Sequence, residues 1–182
     1  MAGCVESVYS EAFFQLCEEA DCLDAAFEEL SDVNEIVFSD ENSDFVRLLA
    51  SPLIKDDDKR ASLEAVFKGR LSELTLDFIS VVTKNGRIEY LPEVFGEFKK
   101  LYYKKKKIME VTAVTSQKLS DKLREKLITK LEQTSGNKVI LIEKLDPSIL
   151  GGIVLKYSDT EIDASVASGL DRIKARIDGV IA

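Results

Sequence analysis

Four short stretches of this chain carry residue types that can do chemistry. Gly151-Gly152 invites a phosphate-loop reading, but such a loop is longer and ends in Lys-Ser or Lys-Thr ahead of a helix. Here the glycines run into Ile153-Val154-Leu155-Lys156, a strand-like segment. They are therefore expected at a sheet corner, where glycine tolerates unusual φ or a close backbone neighbour. Asp163 and Ser165 place a carboxylate and a hydroxyl two residues apart. The chain has no histidine, which removes the commonest general base and the commonest zinc ligand. No second acid pairs with Asp163, so capping of the helix that follows is the expected role. Asp56-Asp57-Asp58 would hold a hard cation only if three successive carboxylates converged, and on a helix they splay around the axis. They suit a helix start, where the macrodipole favours negative charge. Lys99-Lys100 and Lys104 to Lys107, interleaved with Tyr102 and Tyr103, form a basic, aromatic run. RNA is one partner for such a run; a solvated edge facing an acidic partner or anionic lipid is the other. Cys4, Cys17 and Cys22 are odd in number and widely spaced, which fits small apolar filler better than a disulfide framework or a zinc site. No catalytic, cofactor or metal site is expected.

The elements that must position these residues change character near Lys104 to Lys107. Upstream, apolar residues recur at helical spacing throughout. Val5, Tyr9, Ala12, Phe13, Leu16 and Ala20 form one stripe, and Leu23, Ala26, Phe27, Leu30, Val33 and Val37 a second. Asn42-Ser43-Asp44 suits the start of a short helix that Ser51-Pro52 ends. A fourth helix runs from Asp56 toward Gly69, a fifth from Leu71 to Lys84, and Asn85-Gly86 breaks the pattern. A sixth carries Ile88, Leu91, Val94, Phe95, Phe98 and Leu101, with Pro92 about one turn in. Downstream, Met109, Val111, Ala113 and Thr115 alternate as one face of a strand. Leu119, Leu123, Leu127, Ile128 and Leu131 mark a helix with Gly136 at its end. Val139-Ile140-Leu141-Ile142 reads as a strand buried on both faces. Ile153-Val154-Leu155 and Glu161-Ile162 follow as strands joined by a reversal at Ser158-Asp159. Ser165 then caps a helix through Leu170, Ile173 and Ile177. The expected fold class is α+β: an N-terminal six-helix bundle over residues 1–104, then a small α+β domain over residues 105–182 in the order β-α-β-β-β-α.

Two helices carry more apolar residues than one buried face needs. In the fifth, Leu71, Leu74, Phe78 and Val81 form one stripe, while Leu76, Ile79 and Val82 lie around the cylinder. In the first, Phe14 and Cys17 stand outside the main stripe. Such a helix is either central in its bundle or presents a groove to a partner's amphipathic helix. Charge divides the chain in the same place. Residues 1–98 carry 8 basic and 22 acidic side chains, net −14, and residues 99–182 carry 17 and 11, net +6. A change of sign on this scale predicts two units with different partners. No apolar run approaches the roughly 20 residues that span a bilayer. The first 46 residues lack Lys and Arg, the reverse of a secretory or transit segment.

Several segments, taken in order, resemble the delta subunit of the rotary F-type ATP synthase, called OSCP in mitochondria. Tyr9 and Ala12 match a Tyr-Ala-x-Ala-Leu element of that family's first helix, while Ser10 and Phe13 depart from it. Ser51-Pro52-Leu53-Ile54 with Lys59 is similar to its helix-break segment, and Lys84-Asn85-Gly86-Arg87-Ile88 to its Asn-Gly-Arg-Leu turn. Val111-Thr112-Ala113-Val114-Thr115-Ser116 with Leu119-Ser120 resembles the opening of its second domain. Asp146-Pro147-Ser148-Ile149-Leu150-Gly151-Gly152-Ile153 and Ile162-Asp163-Ala164-Ser165-Val166 resemble its C-terminal signature. The resemblance implies a non-catalytic peripheral-stalk subunit, one copy per complex, that needs no cofactor. It would couple rotation to proton transport and ATP synthesis from the cytoplasmic face of a bacterial membrane, touching that membrane only through the complex. It further implies that the helical domain grips the alpha subunit's N-terminal helix between its first and fifth helices. Tyr9, Phe13, Phe78, Ile79 and Val82 are the groove residues expected by position. The second domain is expected to hold the b subunit's C-terminus. Nucleic acid is not a partner on this reading; an RNA-binding module using Lys99 to Lys107 is the alternative.

Overall fold

The computed structural model describes residues 5–39, 42–67, 69–158 and 160–172. The chain divides into two compact units, residues 1–102 and 103–182.

The first unit is helical. α1 spans Val5–Glu19, α2 Leu23–Val37, α3 Ser43–Ala50, α4 Asp56–Phe67, α5 Glu73–Lys84 and α6 Leu91–Lys106, the last preceded by a 3-10 turn at Ile88–Tyr90. Local chemistry sets the boundaries. α1 ends on Asp21 at φ 51°. The Cys22 N–H reaches back to the Cys17 carbonyl at 3.0 Å and that of Asp21 to Glu18 at 3.3 Å. This is the Schellman arrangement, in which a left-handed residue closes the helix. Ser72 Oγ accepts from the Thr75 N–H at the start of α5, satisfying one of the orphan donors there. Asn42 departs from the capping expected of it. Its Nδ2 donates to the Ile36 carbonyl at 2.7 Å, so the side chain is spent on the end of α2. The core gathers Phe13, Leu30, Val33, Leu49, Leu63, Phe67, Ile79, Val82, Leu91 and Phe98, all fully or nearly fully buried. Cys17 belongs to this core, as expected of apolar filler, and its thiol is pushed up to about 12 by burial, with contact to the Cys22 thiol adding to the shift.

The second unit is a four-stranded sheet in the order β2-β1-β3-β4, with β1 at Ile108–Thr115, β2 at Lys138–Leu145, β3 at Gly152–Tyr157 and β4 at Thr160–Ser165. α7, Asp121–Ser135, is the crossover between parallel β1 and β2, and Gly136 at φ 68° ends it. β3 lies antiparallel to both β1 and β4. Burial alternates along β1 as its sequence predicts, with Met109, Val111, Ala113 and Thr115 inside. β2 does not follow its composition: Val139 and Leu141 are buried, but Ile142 is 37% exposed and Leu145 61%. β2 is an edge strand, and α7 packs Leu127, Ile128 and Leu131 against the face that carries Val139 and Leu141. β3 and β4 pair from Gly152↔Ser165 to Tyr157↔Thr160, with Ser158 at φ 48° in the reversal. Helix follows at 166–172. Ile173 and Ile177, expected on that helix, lie outside the described residues.

The residues of the C-terminal signature make turns and caps. Asp146 Oδ1 accepts from the N–H and the hydroxyl of Ser148, at 2.9 and 2.6 Å. Asp163 Oδ1 accepts from the Ser165 N–H at 2.8 Å, and Ser165 Oγ from the Ser168 N–H at 3.2 Å, which is the cap expected of Ser165. Hydrogen bonds to the charged form hold both carboxyls below their ordinary 3.8: Ser148 for Asp146, and Ser165 first for Asp163. A carboxyl depressed on folding stabilises the fold above its unfolded pKa, and that contribution is lost as pH falls through the folded value. These turns therefore loosen in acid below 3.8 and not between neutrality and pH 5. Carboxyl-carbon NMR titration should give midpoints under 3.8 for both residues; a midpoint at or above 3.8 refutes the assignment.

Candidate docking groove

α1 and α5 face each other in opposite directions: Tyr9 meets Asn85 at one end, and Phe13 stacks on Phe78 a helical turn further along. Their inward faces are not their most apolar ones. α1 buries Glu6, Ser10, Phe13 and Cys17, and α5 buries Thr75, Ile79, Val82 and Thr83. Of its polar members, Ser10, Thr75 and Thr83 are hydrogen-bonded, as buried polar groups ordinarily are, while Glu6 Oε2 is buried without a partner. The Ser10 hydroxyl lies 2.6 Å from the Glu6 carbonyl and 2.7 Å from that of Val94 on α6. Thr83 Oγ1 donates to the Ile79 carbonyl at 2.8 Å. With polar side chains turned inward, the apolar stripes of both helices are left outside.

Those stripes line a groove of about 840 Å³. Val8, Tyr9, Ala12, Phe13 and Leu16 come from α1, and Glu73, Leu74, Asp77, Phe78 and Val81 from α5. Val8, Leu16 and Val81 are each at least half exposed. The floor is aromatic: Phe13 and Phe78 stack with centroids 4.1 Å apart at 22°, and Phe13 lies 5.4 Å from Phe98 beneath. The turn after α5 fixes one end. Asn85 Nδ2 and Arg87 Nη1 each donate to the Tyr9 hydroxyl at 3.1 Å, and the Arg87 guanidinium lies 5.5 Å from the Tyr9 ring centroid. Two segments read separately in the sequence, Tyr9 and Asn85-Gly86-Arg87, thus form one contact.

Of the residues expected here, Tyr9, Phe13 and Phe78 line the groove. Ile79 and Val82 do not; both are fully buried beneath it. Each residue turns about 100° around a helix, so Ile79, one position after Phe78, and Val82, one position after Val81, point into the core, and the stripe that lines the groove is Leu74-Phe78-Val81. Val8, Ala12, Leu16, Glu73, Leu74, Asp77 and Val81 also line the groove and are not among the expected residues, although Ala12, Leu16, Leu74 and Val81 stand on the stripes read from the sequence.

The basic run is largely accounted for by structure. Lys104, Lys105 and Lys106 form the last turn of α6, where cations complement the helix dipole. The Tyr102 ring stacks on Phe27 at 4.3 Å and its hydroxyl donates to Asp24 at 2.7 Å, so the face on which a base would stack is occupied.

The helical unit thus carries an open apolar groove, and the signature residues of the sheet unit serve turns and caps. Residues 5–177 match the family model for the ATP synthase delta (OSCP) subunit. The chain belongs to that family, the non-catalytic peripheral-stalk subunit of the F-type ATP synthase. The chain is 35% identical to ATP synthase subunit delta of Chlorobium limicola over 91% of each chain. With that of Clostridioides difficile it shares 29% over the whole of this chain and 99% of the relative. The sodium ion specific delta subunit of Ilyobacter tartaricus is 32% identical over 91% of this chain and 93% of its own. A chain of the Toxoplasma gondii mitochondrial ATP synthase hexamer shares the fold, with a TM-score of 0.72 at 23% identity over 94% and 96% of the two chains.

Proposed function

We propose that the α1–α5 groove receives the N-terminal amphipathic helix of the ATP synthase alpha subunit, and that residues 105–182 hold the C-terminal end of the b subunit. Residues 1–104 then serve the catalytic head and the remainder serves the stalk, with one copy in each complex. The observation that carries the first half is the inverted polarity of α1 and α5. α1 and α5 bury Ser10 and Thr75 beside Phe13, Cys17, Ile79 and Val82, and leave Leu16 and Val81 in water, so part of their apolar surface gains nothing from their own bundle. The exposed stripe is explained if another helix covers it, with anchors at i, i+3, i+4 and i+7. The chain is mechanical in this role: it opposes the torque of the rotor through contacts that dissociate slowly, each resting on a few buried aromatic anchors. In a bacterial cell it stands on the cytoplasmic face of the membrane, reaching the bilayer through its complex. Among the described residues, no helix is long and apolar enough to cross a membrane.

Titration of the full-length chain with a peptide of the alpha subunit's N-terminus tests the reading. Binding on the order of micromolar or tighter is expected, with amide shifts concentrated at Val8, Leu16, Leu74 and Val81. Shifts confined to residues 105–182, or no binding, would overturn it.

A further inference from the structure

The groove has a sign. Eight of its ten lining residues are apolar and two are charged, Glu73 and Asp77, both acidic and one helical turn apart on α5. No basic residue lines it. α1 contributes none nearby, since its charged residues are Glu6, Glu11, Glu18 and Glu19. Asp77 Oδ1 lies 2.8 Å from Arg60, but that guanidinium also meets Glu64 at 3.0 Å, so the three side chains together keep one negative charge. The other end differs. There Arg87 is committed to Tyr9, and Lys84 closes α5. The groove therefore carries its charge at one end, the first two turns of α5, and none of its lining residues is charged toward the Asn85-Gly86-Arg87 turn.

Resting on the docking reading above, we infer that the helix received by the groove is cationic at one end: it carries Lys or Arg at two positions about one turn apart, set against Glu73 and Asp77. Beside Tyr9 and Arg87 it is neutral or acidic. The apolar floor supplies the area, and the charged edge selects the partner and its register, because matched rims speed encounter and mismatched ones reject wrong partners. The net −14 of residues 1–98 acts in the same direction at longer range.

The test uses the full-length chain and the alpha-subunit N-terminal peptide, titrated at about 50 and about 500 mM salt, where screening lengths differ several-fold. Affinity is expected to fall roughly five- to ten-fold at high salt, and Glu73→Lys to lower it by a similar factor at low salt. Asp77→Asn should do the same to a smaller extent, and unfolding curves of both variants show that the bundle persists. A peptide whose basic residues are changed to Glu should lose affinity for the wild-type chain and regain it with Glu73→Lys. That rescue is not available to a structural effect. If the wild-type peptide binds with an affinity indifferent to salt and to Glu73→Lys, the charge assignment is overturned and the groove stands. If it binds at neither salt concentration, the docking reading itself has failed.

Discussion

Val81→Asn is expected to leave the bundle intact and weaken docking, while Val82→Asn, one residue along, is expected to unfold it. Val81 is 50% exposed on the groove wall and Val82 is 0% exposed in the core. The two substitutions are chemically identical, so the difference isolates position. On an exposed helix face valine and asparagine have similar propensity, and Val81→Asn should change stability by less than about 1 kcal/mol. In a docked complex the same amide faces an apolar partner without a hydrogen bond. Affinity for the alpha-subunit peptide should then drop by about 1–2 kcal/mol, roughly ten-fold. At Val82 the amide enters a core shared with Phe13, Ile79 and Phe98. Lost packing and an unsatisfied polar group should together cost about 3 kcal/mol or more, a large part of what a small bundle has. Urea unfolding and peptide titration on both variants decide it. Equal loss of stability in the two would mean that α5 does not sit as described, and undiminished binding by a folded Val81→Asn chain would remove this wall from the interface.

The same pair shows what was legible in the sequence. The apolar stripes of α1 and α5 are plain in the residues, and so is the surplus that makes each helix apolar on more than one face. Which stripe faces inward is not. Periodicity favours Tyr9-Ala12-Phe13-Leu16 as the buried face of α1, yet of these only Phe13 is fully buried, and it shares that face with Glu6, Ser10 and Cys17. For Ser10 the choice is revealed by its partner, the Val94 carbonyl, which lies 84 positions away in the chain. The departure from the family pattern at Ser10 has the same explanation: it touches α6 and is remote from the groove. In the sheet unit the alternation of β1 and the glycine end of α7 were readable because both are local. The open face and exposed edge of β2 were not, because strand order follows from pairings that no single segment encodes.

Gly152 offers the largest expected effect in the second unit. Its φ is 87°, and a Cβ there would lie 2.5 Å from the Ala164 carbonyl oxygen and 2.8 Å from the Ser165 Cα. Both neighbours are backbone of β4, so no rotamer change relieves the contact. The left-handed conformation costs an L-residue about 1–2 kcal/mol, and displacement of a paired strand adds to it; Gly152→Ala should therefore lose about 3 kcal/mol or more. Gly151→Ala is the control. Its Cβ would meet only the Val166 Cγ2, at 3.4 Å, an ordinary contact with a movable side chain. The expected sequence of events follows from register. Gly152 pairs with Ser165, and the adjacent Gly151 carbonyl accepts from the Val166 N–H at 3.0 Å, so the strain pulls β4 and the cap of the following helix away together. Amide exchange in Gly152→Ala should rise first over β3, β4 and 166–172, with α1 to α6 unchanged. The consequence separates the two proposed roles. Such a chain should still bind the alpha-subunit peptide through its groove while losing its hold on the b subunit, and ATPase assembled with it should uncouple. If Gly152→Ala matches Gly151→Ala in stability and keeps the b subunit, then Gly152 is not the constraint that the geometry makes it.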